Sequence, residues 1–422
     1  MIALRSVIVN KSELVSDEER PSLRQLLSQA LASLPPSVHR PSNLEALYST
    51  LLAALSPLSS RLSGYTAGLP LLPDPSESTQ SPGVPQFDHI ANCLDILDSF
   101  LLGRWATVEE QSQIYHDLIN GNGQEVLAEG LATLCAVCNI ILRNGEFEDI
   151  IPIGDQFGRV SLSFLAHIDL VSVNRCLESA FRVLINVSHA NPTWSTLLVH
   201  QRLMIPVISS LIVTAPRAPH DTTDEVGEGG AQAFDRQCLA LGLLTNLVQE
   251  ESSKHLCRET SAFCSLVSIF VSHNFSELDP SCPALRQCAY ACTCPNAISV
   301  LECLASVYEQ HLRVEDDDPG TYIIRGHLAV LFGLLMRDSP ANQDIILDVL
   351  PGAGLKGLIR HAREFVGLYA EFMARVARGE RHDAEDVNDD SEDGIPQIQV
   401  KDGATQDVTQ DIIEFLESLM DA

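Results

Sequence analysis

The sequence predicts an all-α fold, a HEAT/armadillo-like helical repeat solenoid. Three stretches carry this reading: Val183-Leu-Ile-Asn-Val187, Leu243-Leu-Thr-Asn-Leu247 and Val330-Leu-Phe-Gly-Leu334. Each places one small or amide side chain inside an apolar helix face. Each is followed by a polar turn (Ser188-His-Ala-Asn-Pro192, Gln249-Glu-Glu-Ser-Ser253, Arg337-Asp-Ser-Pro-Ala341) and then by a second apolar run. A helix pair that cannot bury its apolar face alone must stack on its neighbours, and such arrays bind proteins rather than carry out chemistry.

Composition agrees. A hydrophobic fraction of 45% suffices for a continuous core, and only 5% aromatic residues with five Met leave Leu, Ile, Val and Ala to fill it. The net charge of -29 repels phosphate backbones, which excludes bare nucleic acid as a direct ligand and favours basic protein surfaces. No stretch approaches eighteen continuous apolar residues, so no membrane span is expected. The opening Met1-Ile-Ala-Leu-Arg-Ser-Val-Ile-Val9 does not read as a secretory leader. The chain is therefore expected in cytosol or nucleus, with its twelve Cys as thiols.

In chain order, helices are expected over residues 22–33 and 43–62, the second with Leu44, Leu47, Leu51, Leu55 and Leu58 at helical spacing. Pro, Gly and Ser mark residues 63–86 as a loop. Ile90, Leu94, Leu97, Phe100 and Leu101 then trace another helix, and Thr107-Val-Glu-Glu110 is a capping box for the next. Taking Asn139, Asn186, Asn246 and Gly333 as equivalent repeat anchors gives spacings of 47, 60 and 87 residues. A repeat of this kind is roughly 40–47 residues, so only the first interval is uninterrupted. The second contains a Pro/Gly/acidic insertion, and the third has room for a further helix pair, with residues 297–310 as its clearest member. Leu211, Phe270 and Leu358 stand 25, 24 and 25 residues after their anchors, so the second helices align too.

The domain boundaries follow. Residues 1–63 hold the opening helices, 64–88 the loop, and 89–378 the repeats, with insertions near 214–235 and 275–320. Residues 379–405 form an acidic stretch that cannot bury a core and is expected to be disordered. Residues 406–422, with Val408, Ile412, Phe415, Leu416 and Leu419, form a terminal amphipathic helix expected to dock on the last repeat.

Several motifs invite chemistry. Gly352-Ala-Gly-Leu-Lys-Gly357 matches a dinucleotide fingerprint, but that chemistry needs a preceding strand, and residues 343–350 read as helix. Cys282, Cys288, Cys292 and Cys294 are the densest thiol cluster, yet they lack the paired knuckles of zinc sites. Cys135-x-x-Cys138 lies inside an apolar helix and reads as core. No nucleophile elbow, His-Glu-x-x-His or phosphate-binding loop occurs, so no catalytic residue, cofactor or metal is expected. In the repeat helices, an Asn most often ties neighbouring helices together. In nuclear-import adaptors it grips a peptide, with a Trp one turn earlier. Here those earlier positions are Arg182, Gly242 and Ala329, so the structural role is expected for Asn186 and Asn246.

The order of these pieces resembles the conserved C-terminal domain of the wings apart-like family, in its fungal type. Val183-Leu-Ile-Asn-Val-Ser-His-Ala-Asn-Pro-Thr-Trp194 is similar to one repeat, and Leu241-Gly-Leu-Leu-Thr-Asn-Leu-Val-Gln249 to another. Residues 322–335, Ser339-Pro-Ala-Asn342 and Leu350-Pro-Gly352 resemble the next repeat. Glu364-Phe365 and Phe372-Met373 stand at the position of its Phe-rich helix, and Ile412-Ile-Glu-Phe-Leu-Glu417 is similar to its closing helix. The resemblance is anchored mainly in residues 180–422, and the first 130 residues fit only in being helical. The family's Phe-Gly-Phe motifs have no match; Phe157-Gly-Arg and Phe332-Gly-Leu come nearest.

The resemblance implies a non-enzymatic, nuclear, chromosome-associated cohesin-release factor that restrains sister chromatid cohesion by promoting opening of the DNA exit gate. Its implied partners are the SMC ATPase head, kleisin and stromalin of the cohesin complex and a HEAT-repeat cohesin regulator. Polar residues just past the repeat helices, Glu250, Glu251, Lys254, Arg337, Asp338 and Asn342, are the candidate partner contacts. Two other classes share parts of the pattern. A different armadillo or HEAT scaffold would fail to capture cohesin subunits. A zinc-binding protein would carry about one metal per chain.

Overall fold

The computed structural model describes residues 43–66, 86–101, 124–146, 169–201, 203–213, 228–249, 299–313, 319–350, 354–377 and 403–421. Among these residues the chain forms twelve helices and no strand element, an all-α fold of the helical-repeat solenoid class. In chain order they are α1 (Asn43–Thr66), α2 (Phe87–Leu101), α3 (Gln124–Glu146), α4 (Leu170–Ser188), α5 (Pro192–His200), α6 (Met204–Val213), α7 (Glu228–Leu247), α8 (Val300–Leu312), α9 (Pro319–Met336), α10 (Pro340–Val349), α11 (Gly354–Ala377) and α12 (Gly403–Asp421). They fall into two compact units, the first ending at Val300 and the second beginning at Leu301. Helix α7 begins inside the 214–235 insertion and α8 inside the 275–320 insertion.

Apolar periodicity explains the helices of the first unit. Helix α1 buries Leu47, Leu51, Leu55, Leu58 and Leu62, one stripe at the spacing of a helix face. Helix α3 is apolar enough between Gln124 and Leu142 to match a membrane span in length and composition. That window is 72% buried against neighbouring helices, as a core helix must be. Helix α4 starts on Asp169, whose carboxylate accepts from Val171 N at 3.1 Å and from Ser172 Oγ at 2.6 Å. The bond from Ser172 and the backbone amides hold the Asp169 pKa below the usual carboxylate value. The cap offsets unpaired amides at the helix start.

Helix pairing follows from residue contacts. Asp88, Asp95 and Asp98 on α2 meet Arg175, Ser179 and Asn186 on α4 in the same order along both helices, so these helices run parallel. Asn174 meets Arg236, and Ile185 meets both Gly242 and Asn246, so α4 and α7 also run parallel. The second layer joins α1 to α3 and α3 to α6, while α6 packs on α7 through Gln237 Nε2, which donates to Ile212 O at 2.8 Å.

The second unit is built on α9. Helix α11 packs along it, with Gly326 against Phe365 and with Tyr308 of α8 touching both Phe332 and His361. Helix α12 lies against α9 and α11, burying Thr409, Ile412, Ile413 and Leu416. Helix α10 precedes the glycine-rich fingerprint and α11 starts at Gly354 within it, so the motif joins two helices. Tyr308 and His361 are both buried and share a hydrogen bond of 2.7 Å at Nδ1. Arg360 lies 3.1 Å from His361 Nε2 and can only donate, so the neutral ring carries its proton on Nδ1.

His327 on α9 sets a pH dependence for this unit. Its ring lies 4.9 Å from that of Phe365, and its Nδ1 is shut off from solvent without a hydrogen-bond partner among the described residues, although another edge of the residue is partly exposed. Burial lowers its pKa to about 4. Between the unfolded value of about 6.5 and the folded value, only the unfolded chain binds the proton, so stability falls as pH drops through that window. Lowering the pH from 7 to 5 is expected to destabilise the wild type by about 2 kcal/mol more than His327→Gln. Urea titrations of both proteins at the two pH values check this.

Candidate interaction surface

The repeat anchors lie between helices. Asn139 Nδ2 donates to Ser210 Oγ at 3.1 Å, joining α3 to α6. Asn186 Nδ2 donates to Asp98 Oδ1 at 2.7 Å, joining α4 to α2. Asn246 Nδ2 donates to Ile185 O at 3.1 Å and Ser188 Oγ at 3.2 Å, joining α7 to the end of α4. Gly333 has no side chain, and its backbone lies directly against Ile412 of α12. The amides thus use their donors inside the stack. Asn246→Ala is expected to cost about 1 kcal/mol, the net worth of a buried hydrogen bond, read from the urea midpoint.

Sequence reasoning missed a polar ladder between α2 and α4. Asp88, Asn92, Asp95 and Asp98 share one face of α2, and Arg175, Ser179, Arg182 and Asn186 share one face of α4. Arg175 contacts Asp88 at 3.1 Å, Asn92 Oδ1 at 2.7 Å and Asp95 at 3.7 Å. Arg182 contacts Asp95 at 3.6 Å and Asp98 at 3.5 Å. Ser179 Oγ donates to Asp95. Arg182, which stands where import adaptors carry a Trp, therefore belongs to the helix seam. The missed signal was the equal spacing of acids on one helix and of Arg, Ser and Asn on the other.

The inter-helix turns after α4 and α9 share one design. Ala190 (φ 49°) and Asp338 (φ 61°) both occupy the left-handed region. Each is followed by an N-cap residue, Asn191 or Ser339, and a proline in the first helical turn. Asn191 Oδ1 accepts from Trp194 N at 3.3 Å, whereas Ser339 makes no such bond. After α9 the closing bonds come from further along: Asn342 Nδ2 donates to Leu335 O at 3.0 Å and Gln343 Nε2 to Met336 O at 2.9 Å.

These turns place three of the six candidate contacts. Asp338 is exposed, and Arg337 is half-buried with its Nε 3.9 Å from the Asp338 carboxylate. Asn342 departs from the surface position expected of it: it is fully buried, because its amide must satisfy the last carbonyls of α9. Glu250, Glu251 and Lys254 lie outside the described residues, as do Phe270, Thr107–Glu110, the 282–294 cysteines and the acidic stretch after Gly379.

The described cysteines lie in helices. Cys93, Cys135, Cys138, Cys176 and Cys303 are buried. Burial pushes the Cys93 thiol up to about 11 and those of Cys238 and Cys303 to about 12. It also raises Cys135 and Cys138 well above the ordinary thiol value. Cys135-x-x-Cys138 therefore stays protonated within the core, where a thiol is a poor nucleophile.

Paired helices, amide and ion-pair seams and exposed turns define a helical-repeat protein. Residues 3–254 match the family model described as "Wings apart-like protein regulation of heterochromatin". The match covers more than half of the chain, which belongs to the wings apart-like family, regulators of heterochromatin and cohesin. The match includes the first 130 residues, which by themselves resemble the family only in being helical, and it ends before the 322–352 repeat. No curated protein matches the chain.

Proposed function

We propose that this chain is a non-enzymatic cohesin-release factor. It binds cohesin at the SMC ATPase head, kleisin and stromalin, together with a HEAT-repeat cohesin regulator, and so promotes opening of the DNA exit gate. Sister chromatid cohesion is thereby negatively regulated, on chromosomes in the nucleus. The single observation that carries this reading is the family match across residues 3–254, on an all-helical chain.

The physical argument supports the manner of action. A chain of net charge -29 complements basic protein surfaces such as those flanking DNA in an ATPase that embraces it. Release proceeds by population shift: the chain binds the opened gate more tightly than the closed one, and cohesin hydrolyses the ATP. Glu250, Glu251, Lys254, Arg337 and Asp338 are the proposed contacts.

Affinity purification of the intact chain from nuclear extract is expected to enrich cohesin subunits. Replacing Glu250→Arg and Glu251→Arg is expected to reduce that capture about tenfold, by placing like charges against a basic partner. Absence of cohesin from the wild-type eluate overturns the assignment. Unchanged capture by the charge-reversed chain removes these two residues from the contact.

A further inference from the structure

The terminal helix occupies a position that the first unit gives to another repeat helix. On α4 and α7 the anchors face the preceding helix of the parallel layer: Asn186 meets α2 and Asn246 meets α4. The matching anchor on α9 is Gly333, and it faces α12. A Cβ at Gly333 would overlap Ile412 Cγ2 and stand 3.5 Å from Leu416 Cδ1. The glycine is thus a seat shaped for a helix bearing Ile and Leu four residues apart.

Helix α12 fills that seat with few fixed side chains. It buries Thr409, Ile412, Ile413 and Leu416, while Val408, Gln410, Asp411, Glu414, Ser418, Met420 and Asp421 are exposed. Helical stability in proteins comes mostly from packing an amphipathic face, so the order of α12 depends on its seat. In sequence, α12 is separated from α11 by residues 378–402, which are rich in Asp and Glu. An element with so few buried contacts opens locally well before the whole unit unfolds.

The charge of the seat also selects its occupant. On α11, Lys356, Arg360 and Arg363 are exposed and spaced by four and three residues, with Arg360 paired to Glu364 of the same helix at 3.8 Å. Helix α12 carries Asp407, Asp411, Glu414, Glu417 and Asp421 and no Lys or Arg. Arg363 pairs with Glu417, next to the buried Leu416.

We propose that the α9–α11 groove is a helix-docking site, with α12 as its resident occupant. There α12 exchanges with an acidic amphipathic helix of a partner protein that carries Ile-Ile-x-x-Leu-Glu. The resident helix keeps the groove covered until such a partner competes for it. This inference does not depend on cohesin being the partner.

The test uses the full chain and a fluorescent synthetic peptide of residues 403–421 as the probe. In hydrogen-exchange mass spectrometry, the amides of α12 are expected to exchange together, about tenfold faster than those of α9 and α11. The peptide is expected to bind the wild-type chain saturably. A Cβ on Gly333 lies 3.6 Å from Ile412 Cβ, inside the disulfide range of about 3.5–4.5 Å. Oxidising the Gly333→Cys/Ile412→Cys chain with diamide should therefore lock α12 down and weaken peptide binding about tenfold, with recovery on reduction.

Wild-type α12 amides as slow as those of α11 would overturn the proposal, and that measurement needs no substitution. So would a peptide that binds oxidised and reduced forms alike. A concentration-dependent dimer held by α12 would assign the groove to a second copy and overturn the partner. None of these readouts involves cohesin, so failure here and failure of cohesin capture are separable.

Discussion

Gly326→Ala is expected to destabilise the second unit by about 3 kcal/mol, although alanine normally stabilises a helix interior by about 1 kcal/mol over glycine. The reversal comes from the close approach of α9 and α11. A Cβ at position 326 would lie 2.8 Å from Phe365 Cγ and Cδ2 and closer still to Phe365 Cβ. The ring could swing aside, but the Phe365 Cβ is fixed to its own backbone. The two helices must then separate, and the burial of Leu358, Ile359 and Ala362 on α11 suffers. Gly367 on the same helix is the internal control, since nothing lies within 4 Å of a Cβ there. Gly367→Ala should be neutral or stabilising by up to about 1 kcal/mol. Urea titration followed by circular dichroism distinguishes the two. A midpoint for Gly326→Ala equal to or above that of wild type would show that the helices are not in tight contact.

Asp95→Ala is the counterpart in the first unit, with an expected loss of about 3 kcal/mol. The Asp95 side chain is only 5% exposed and accepts from Ser179 while facing Arg175 and Arg182. Removing it leaves the fully buried Ser179 hydroxyl without that acceptor and two guanidinium groups without their shared carboxylate. Arg175 and Arg182 keep 27% and 40% of their side chains exposed, so water compensates part of their loss. The greater cost lies with the buried groups. Asp95→Ala combined with Ser179→Ala should therefore cost less than the sum of the single changes, as a thermodynamic cycle would show. Strict additivity would mean that the two side chains do not interact.

These two sites show where reading the sequence succeeds and where it stops. The leucine stripe of α1 and the amphipathic pattern of α12 are local facts, because a helix of 3.6 residues per turn sorts side chains onto faces whatever surrounds it. The turns were legible for the same reason: Asn191-Pro192 and Ser339-Pro340 are cap and first-turn signals. The seam between α2 and α4 was not. Asp88, Asn92, Asp95 and Asp98 look like a solvated helix face until another helix presents Arg, Ser and Asn at matching heights. Asn342 misled in the opposite direction. A polar residue just past a turn reads as surface, yet the unpaired carbonyls at the end of α9 drew it inward.

The sequence by itself determined that the chain is helical, that its helices recur as repeats with amide or glycine anchors, and that its surface is acidic. Those properties follow from periodicity, composition and charge, each of which acts over a few residues or over the whole chain. Only the tertiary structure decided which helices share a seam, which polar groups are spent inside it, and that Gly333 receives α12. Such pairings join residues far apart in sequence, 79 positions for Gly333 with Ile412 and 88 for Asp98 with Asn186. They depend on complementary shape and on satisfying buried polar groups, which a single helix cannot specify for its neighbour.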